Sequence, residues 1–173
     1  MSSKDAEFVR LLEEHKKILY RVVNGYCSNP SNRKDLAQDI VVQLWKAFDR
    51  YDDAKRFSTW MYRIALNVAI SWYRSETRRA KSTMPFEEFV LEIAAEEPND
   101  GRADEDIRRL ERYIERLDEL NRALIILYLD GNPYETIAEI LGISATNVAT
   151  KLSRIKQRFR RDFEESRTVD EEQ

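Results

Sequence analysis

The 173-residue sequence is poor in residues that form tight turns and cross-links, with four glycines, four prolines and one cysteine. Because so little turn chemistry is present and the apolar residues recur at helical spacing, the sequence predicts an all-α fold. The single cysteine, Cys27, cannot form an internal disulfide, which suits a reducing cytoplasm. It is expected to be a small buried or half-buried residue. No apolar run approaches the roughly 18 residues that a membrane span needs. The N-terminus also lacks the layout of a signal peptide, so a cytoplasmic protein without membrane insertion is expected.

Groupings of residues that carry catalysis are also missing. The one histidine, His15, lies among charged neighbours and is expected on the solvated surface. No paired His and Cys set, glycine-rich phosphate loop or nucleophile–base arrangement is present. We therefore expect no enzyme, assign no catalytic residue, and expect no bound metal, cofactor or small-molecule ligand.

Charge, by contrast, is abundant and segregated along a chain whose net charge is −3. The segment 56–81 has six bases and one acid, and the segment 145–161 has six bases and no acid. Between them, residues 87–106 have nine acids and one base. Two basic segments separated by an acidic one favour bipartite contact with a polyanion. Ordinary solvated helix faces are the alternative.

These shifts in composition predict four parts of the chain. Residues 1–81 form a first helical domain, and residues 82–105, which contain Pro98 and Gly101, form a flexible acidic linker. Residues 106–163 form a second domain of four helices, and residues 164–173 form an acidic tail.

Two helices are predicted first in the N-terminal domain, over about 5–26 and about 33–50. In the second helix Leu36, Ile40 and Leu44 form an apolar stripe that faces the core. Its opposite side is polar but contains a tryptophan, a combination typical of a surface that docks another protein. On that side Asp35, Asp39, Val42 and Lys46 line up, flanked by Gln38, Gln43 and Trp45, and an outward Val beside a Trp is unusual for plain solvent exposure. Asp35, Gln38, Asp39, Gln43 and Trp45 are called the docking stripe below. Trp45 could equally well cover the edge of the core.

A third helix is predicted within the basic segment 56–81. Its core-facing arc is expected to contain Met61, Ile64, Ala65, Val68, Ala69 and Trp72. A second row, about 120° away on a helix, is expected to face away from the fold; this arginine strip consists of Trp60, Arg63, Asn67, Ser71, Arg74 and Arg78. Guanidiniums bind phosphates, an aromatic ring stacks on an unpaired base, and an amide reads a base edge. The strip thus suits single-stranded or melting DNA, unless Trp60 only covers the core edge. The loop before it offers a mobile lip of Tyr51, Lys55, Arg56 and Phe57.

The C-terminal domain contains a predicted helix-turn-helix. Asn132 is expected to cap a first helix that begins at Pro133, Gly142 to end it, and Ser144 to cap the next helix. The second helix has a narrow apolar seam of Val148, Leu152, Ile155 and Phe159. Its opposite side would enter the major groove, with Asn147, Thr150, Lys151 and Arg154 nearest the bases and Arg158 and Arg161 nearest phosphates. DNA binding is therefore predicted; a helical hairpin used only for packing would not explain the basic charge.

Three blocks, in this order, resemble the bacterial RNA polymerase sigma factors of the extracytoplasmic-function (ECF) group. "DLAQDIVVQLWKAFDRYD" resembles the polymerase-docking helix of that family, and "FSTWMYRIALNVAISWYR" resembles its promoter-melting helix. "LDELNRALIILYLDGNPYETIAEILGISATNVATKLSRIKQRF" resembles its C-terminal helix-turn-helix. The resemblance covers nearly the whole chain outside the predicted linker and tail.

The resemblance implies a transcription initiation factor that binds core RNA polymerase and promoter DNA and is restrained by an anti-sigma factor. The docking stripe would contact the clamp of the largest polymerase subunit, and the acidic linker would thread through the core enzyme. For the minus-ten element the implied residues are Tyr51, Lys55, Arg56, Trp60, Arg63, Asn67, Arg74, Arg78 and Arg79. For the minus-thirty-five element they are Asn147, Thr150, Lys151, Ser153, Arg154 and Arg158. The free protein is expected to be a monomer.

Two departures from the family pattern concern these sites. Tyr51 stands where the family often has Phe, which keeps a stacking ring and adds a hydroxyl. Ala149 stands where some relatives have a base, so the promoter sequence cannot be transferred from them. A rival interpretation is a stand-alone transcriptional regulator whose N-terminal helices dimerise or sense a ligand.

Overall fold

The computed structural model describes residues 3–83 and 102–171, and side chains over 4–79 and 105–164. Most of the predicted linker and the end of the tail therefore lie outside the described residues. In the described ranges the chain forms eight α-helices and no strand, which confirms the all-α prediction. The helices are α1 Ser3–Glu14, α2 Lys16–Tyr26, α3 Pro30–Ala47, α4 Phe57–Thr83, α5 Arg102–Arg116, α6 Glu119–Leu129, α7 Tyr134–Leu141 and α8 Ala145–Glu171.

The core of the N-terminal domain lies between α2, α3 and α4. Leu36, Ile40 and Leu44 of α3 are fully buried, as the period of four predicts. Burial of each such side chain contributes about 1.5–3 kcal/mol. This one-sided burial turns the opposite face of α3 to solvent. Cys27, after α2, is also buried, as predicted, and its thiol donates to the carbonyl of Asn29 at 3.2 Å.

The predicted first helix is in fact two helices, because the helix is interrupted at His15. Nδ1 of His15 lies 3.0 Å from the carbonyl oxygen of Leu11, and the ring lies 5.1 Å from that of Phe57. The prediction of a solvated surface histidine was wrong, since the residue is half-buried at this break. A lone polar residue among charged neighbours gives no sign of such a break.

Helix α3, which corresponds to the second predicted helix, begins three residues earlier than predicted. Asn29 caps it by accepting a hydrogen bond from the backbone N–H of Ser31 at 2.9 Å, and Pro30 occupies the first turn. This Asn-Pro pair is a typical helix start that the apolar pattern alone does not reveal. At its other end α3 stops at Ala47 and a short 3-10 turn, Phe48–Arg50, follows.

Helix α4 buries more of its circumference than its predicted arc. Met61, Ala65 and Ala69 are fully buried as expected, but Tyr62 and Leu66 are buried as well. The predicted members Ile64, Val68 and Trp72 are only half-buried. The difference arises because α4 packs against α2 and α3 on one side and against α7 of the C-terminal domain on another.

The C-terminal domain consists of α5 to α8, the four helices that the sequence predicts. Helix α5 starts at Arg102, inside the range predicted as linker, and α8 continues to Glu171, inside the predicted tail. Gly142 ends α7 at φ 68°, and the hydroxyl of Ser144 accepts from the N–H of Asn147 at 3.1 Å, which confirms both predicted helix boundaries.

The start of α7 differs from the prediction. Its N-cap is Pro133 rather than Asn132, and the helix begins at Tyr134. The side-chain amide of Asn132 instead donates to the carbonyl of Leu127 at 2.9 Å. The Leu127 carbonyl lies in the last turn of α6 and has no acceptor role within the helix, so Asn132 supplies the donor that it lacks.

Candidate polymerase-docking and DNA-binding surfaces

The docking stripe lies along the solvent face of α3. All five members are exposed: Asp35, Gln38, Asp39, Gln43 and Trp45. Trp45 is 40% exposed, and its ring also packs edge-on against Phe8 at 5.1 Å. The ring therefore covers the edge of the core, as one interpretation held, and still presents surface to solvent, so its role in docking stays a prediction. Val42, beside it, is 40% exposed and widens the apolar centre of the stripe.

The loop between α3 and α4 is closed by its own hydrogen bonds. The hydroxyl of Tyr51 donates to the carbonyl of Lys55 at 2.7 Å, and the N–H of Ala54 donates to Asp52 at 3.1 Å. Burial raises the pKa of Tyr51, so its hydroxyl stays protonated and able to donate. The loop is thus preorganised, and Lys55 and Arg56 project from it into solvent.

Four aromatic rings form a cluster beneath this loop. The ring of Tyr51 stacks on that of Phe48 at 5.8 Å and meets those of Phe57 and Trp60 at 5.4 and 5.0 Å. Phe57 is buried, so its predicted place in a mobile lip is wrong: the ring belongs to the core. Trp60 is half-buried at the edge of the cluster, where the core-edge interpretation placed it.

The rest of the arginine strip lies on the exposed side of α4. Its exposed members are Arg63, Asn67, Ser71, Arg74 and Arg78, and the neighbouring Arg79 is exposed as well. Two of these side chains nevertheless contact the C-terminal domain. A guanidinium nitrogen of Arg63 donates to the carbonyl of Glu139 at 2.6 Å, and Nε of Arg74 donates to the carboxylate of Glu119 at 2.9 Å. The expectation that the strip faces away from the fold is therefore wrong for Arg63 and Arg74. The strip nevertheless remains in contact with solvent.

The Glu119 carboxylate is adapted to this ion pair. Its pKa lies below the usual range, first because the carboxylate accepts from its own backbone N–H at the start of α6 and next because Arg74 donates to it. Because its pKa is lowered, the carboxylate stays charged, and can stay paired with Arg74, to a lower pH than an unpaired glutamate. Arg78 and Arg79 are engaged within α4, by the carbonyl of Arg74 at 3.2 Å and by Glu76 at 3.1 Å.

Helices α7 and α8 form the helix-turn-helix. The apolar seam of α8 is buried at Val148, Leu152 and Ile155, while Phe159 is half-buried and packs against Tyr113 at 5.1 Å. The opposite side, here called the recognition face, consists of Asn147, Thr150, Lys151, Ser153, Arg154 and Arg158. All six are exposed except Lys151, which is half-buried.

Three contacts lie on or beside the recognition face. The hydroxyl of Thr150 donates back to the carbonyl of Thr146 at 3.0 Å, which leaves its oxygen and methyl group at the surface. The ammonium of Lys156 lies 3.9 Å from the centre of the Tyr128 ring, so this base stabilises the domain by a cation–π contact. The exposed Arg161 lies 3.9 Å from Asp162, one residue further along.

Arg122 is a central residue that sequence reasoning missed. Its side chain is 2% exposed and lies between the two domains. The guanidinium donates to the carbonyls of Glu115 and Leu117 and, at 3.4 Å, to that of Gly25. It also lies 4.5 Å from the ring centre of Tyr73 and 5.4 Å from that of Tyr26. The available signal was an arginine placed directly before the apolar run "ALIILYL".

Other site types find no support in the described residues. No group of three or more His, Cys, Asp or Glu side chains within 3–83 and 102–171 is arranged to hold a metal ion. In the same ranges no helix is both long enough and apolar enough to cross a membrane.

Comparison with known families matches both domains separately. Residues 11–79 match Sigma-70 region 2, and residues 107–159 match Sigma-70, region 4. The first match includes α3 and α4 as far as Arg79, and the second includes α7 and α8 as far as Phe159.

Individual relatives agree with this assignment. The ECF RNA polymerase sigma-E factor of Escherichia coli is 30% identical over 132 residues, which cover 71% of this chain and 69% of that protein. The ECF RNA polymerase sigma factor SigE of Mycolicibacterium smegmatis is 25% identical over 154 residues, which cover 87% of this chain but only 59% of that longer relative.

A solved structure has the same fold. The sigma factor RpoE from Bartonella quintana, in complex with the anti-sigma factor NepR, superimposes with a TM-score of 0.64 at 20% identity. The match covers 91% of this chain and 94% of that chain.

Proposed function

The chain belongs to the ECF RNA polymerase sigma factors and is a transcription initiation factor that directs the polymerase to promoters, and from this premise we propose how its surfaces divide that task. One observation carries the proposal. A single small domain exposes a polar, tryptophan-centred stripe on α3 and a separate guanidinium–amide strip on α4. One of these surfaces suits a protein partner and the other suits nucleic acid.

The docking stripe on α3 binds core polymerase. A half-exposed tryptophan and an exposed valine surrounded by amides and carboxylates match the apolar centre and polar rim of a protein interface. Because Leu36, Ile40 and Leu44 fix the opposite side of α3 in the core, the stripe is rigid before it binds. A rigid surface loses little conformational entropy on docking.

The arginine strip and the Tyr51 loop bind the minus-ten element as it melts. The amide of Asn67 contacts a base edge, while Arg63, Arg74, Arg78 and Arg79 bind the phosphate backbone. Tyr51, Lys55, Arg56 and Trp60 at the N-terminal end of α4 surround an unstacked base. The ordered loop and its aromatic cluster support this role, since stacking on a base requires a ring of fixed orientation.

The recognition face of α8 reads the minus-thirty-five element in the major groove. Asn147, Thr150, Lys151 and Ser153 lie toward the N-terminal end of the helix, which contacts base edges in helix-turn-helix proteins. Arg154 lies about one turn beyond Thr150 and can bind a guanine bidentately. Arg158 lies further along, where it reaches phosphates.

The overall acidity of the protein favours binding through the holoenzyme. Non-specific DNA binding is mostly phosphate neutralisation, so a net charge of −3 weakens the binding of the free chain to bulk DNA. Once polymerase holds both basic surfaces, the second DNA contact becomes intramolecular and much stronger. Promoter binding is therefore weak for the chain alone and tight for the holoenzyme.

An anti-sigma factor is proposed as the second protein partner, since the structural relative RpoE is bound to one. Since its proposed partners include core polymerase and promoter DNA, we propose that the protein acts in the cytoplasm. The proposal contains no catalytic step, because the polymerase supplies the chemistry.

Run-off transcription with bacterial core polymerase tests the proposal. Promoters are first located by mapping transcription start sites after overexpression, and templates from these promoters are then transcribed with and without the protein. New transcripts that depend on the protein are expected. A stand-alone regulator cannot replace the initiation subunit, so absence of transcripts together with tight binding of the isolated chain to a two-fold related site would overturn the proposal.

A further inference from the structure

Tyr51 stands where the family often has phenylalanine, and its additional hydroxyl has a defined partner in the loop between α3 and α4. The hydroxyl donates to the backbone carbonyl of Lys55 at 2.7 Å, four residues further along the chain. A tyrosine hydroxyl has a single proton to donate, so the proton of this one is already engaged within the protein. The question is what this bond does for a loop that is proposed to surround an unstacked base.

The ring that carries the hydroxyl is anchored in the core of the N-terminal domain. It stacks on the ring of Phe48, 11° from parallel and with ring centres 5.8 Å apart, and it meets the ring of Phe57 edge-on at 5.4 Å. The backbone N–H of Tyr51 also donates to the carbonyl of Phe48 at 3.1 Å. Both phenylalanines are buried. The bond from Tyr51 to Lys55 therefore ties the far end of the loop to a fixed part of the fold.

Asp52 closes the same loop with two further hydrogen bonds. Its carboxylate accepts from the N–H of Ala54 at 3.1 Å, and its backbone carbonyl accepts from the N–H of Lys55 at 3.0 Å. Lys55 is thus held through both its N–H and its carbonyl. Every residue from 52 to 56 is exposed, so little packing holds this stretch and its order depends on these bonds.

Order in the loop matters for distinguishing one base from another. Groups that read a base must be held in one geometry, whereas a flexible loop adapts to several partners and loses more entropy when it binds. Contacts with phosphates do not distinguish bases. A change that loosens the loop should therefore reduce base discrimination and leave the attraction to the DNA backbone unchanged.

We infer that Tyr51 is a positioning residue of the minus-ten site: its hydroxyl holds the loop 51–56 in the conformation that distinguishes the captured base, rather than bonding to the base itself. The inference rests on the proposed function, which gives this loop its role in base capture. It assigns the hydroxyl to the backbone of the protein and leaves contacts with DNA to the ring and to the exposed Lys55 and Arg56.

Amide hydrogen exchange of the free, full-length chain, followed by NMR, tests whether the hydroxyl orders the loop. Tyr51→Phe removes only the hydroxyl and keeps the ring in its aromatic cluster. We expect the N–H groups of Ala54 and Lys55 to exchange about fivefold faster, as for the loss of one hydrogen bond. Tyr113→Phe is the matched control, because that hydroxyl also donates to a backbone carbonyl, that of Ile155 at 2.9 Å in the other domain. Unchanged exchange in Tyr51→Phe would overturn the inference.

Probe binding by holoenzyme tests whether the ordered loop distinguishes bases. The probe is a DNA fork that carries the minus-ten element of a mapped promoter as a single strand and has no minus-thirty-five element. Matched probes have an abasic site at one minus-ten position at a time. Wild type should prefer the native probe to at least one abasic probe. In Tyr51→Phe this preference should fall about fivefold, entirely through weaker binding of the native probe, whereas general destabilisation would weaken the binding of both probes.

Two substitutions of Asp52 loosen the same loop by another route. Asp52→Ala and Asp52→Asn both remove a negative charge, but only asparagine keeps a side-chain oxygen that can accept from Ala54. Asp52→Ala should therefore show a smaller preference for the native probe than Asp52→Asn. Combined with Tyr51→Phe, Asp52→Ala should cost less than the two single losses predict, because both act on one loop. Strictly additive losses would count against a shared loop and overturn the inference.

The outcomes separate this inference from the proposed function. Faster exchange in Tyr51→Phe with an undiminished preference for the native probe would overturn the inference and leave the role of the loop intact. Equal binding of all probes by wild-type holoenzyme would be a different failure, because it would remove base capture from the loop and the inference with it.

Discussion

Helices α4 and α8 are alike in length and in their pattern of apolar and basic residues, but their basic faces differ in accessibility. Each spans 27 residues, and each has an apolar seam on one side and bases on another. Helix α4 lies between the core of its own domain and α7 of the other domain, and Arg63 and Arg74 are bonded to that domain. The recognition face of α8 is mostly exposed, and the hydroxyl of Thr150 on that face donates within the helix. A basic helix is therefore a DNA-binding surface only to the extent that the rest of the fold leaves it accessible.

The largest expected effect comes from the accessible helix. Arg154→Ala should remove a base contact and weaken recognition of the minus-thirty-five element by about 1–3 kcal/mol. Competition between the native promoter and one with an altered minus-thirty-five element, measured with holoenzyme, would report the loss of discrimination. Gln157→Ala, an exposed neighbour outside the recognition face, is the control. Undiminished discrimination in Arg154→Ala would show that α8 reads the promoter elsewhere.

A change in the docking stripe on α3 should weaken recognition of both promoter elements equally, because polymerase must be bound before either element is recognised. Trp45→Ala is expected to weaken binding to core polymerase by about 2 kcal/mol, as for a central aromatic residue of an interface. Titration of labelled protein with core polymerase measures this, and Ser31→Ala, exposed at the start of the same helix, is the control. Thermal unfolding should be followed in parallel, since Trp45 also packs on Phe8. Unchanged affinity with a lowered melting temperature would return Trp45 to a purely structural role.

A smaller effect is expected from Asn67 of α4. Asn67→Ala should lower the rate of promoter opening about tenfold, because one base-edge contact of about 1–1.5 kcal/mol is lost. Polymerase docking should not change. Ser75→Ala, on the same helix but outside the strip, is the control. Equal opening rates for Asn67→Ala and wild type would place base capture entirely in the Tyr51 loop.

The smallest effect concerns the buried side of α4. The hydroxyl of Tyr62 is buried without a partner among the described residues, whereas that of Tyr26 donates across the domain interface. Tyr62→Phe should leave the free energy of unfolding unchanged or raise it by less than about 1 kcal/mol, while Tyr26→Phe should lower it by about 1 kcal/mol. Denaturant titration of both variants measures the difference. A clear loss in Tyr62→Phe would reveal a partner for that hydroxyl.

Periodicity predicted the parts of the fold that depend on one helix at a time. The period of four in α3 places Leu36, Ile40 and Leu44 in the core and turns Trp45 toward solvent. The seam of α8 and the turn at Gly142 follow from the same local rules. Such features are set by geometry within a helix or a turn, so the sequence is sufficient to predict them.

Contacts between distant segments could not be predicted in this way. Tyr62 and Leu66 are buried on a helix that packs against α2, α3 and α7, and the ring of the half-buried His15 lies beside that of Phe57. Arg122 lies between the domains only because α2, α4 and α6 converge there. Helical spacing contains no information about which faces of two separate domains meet, so these residues became visible only in the folded arrangement.

The role of α4 in promoter melting is tested most directly by permanganate footprinting of a mapped promoter. Core polymerase is reconstituted either with the wild-type chain or with the combined variant Arg63→Ala, Asn67→Ala and Arg74→Ala. We expect reactive, unpaired thymines in the minus-ten element with wild type, and normal polymerase docking but no reactive thymines with the variant. The same pattern of reactive thymines with the variant as with wild type would contradict a DNA-melting function for this surface.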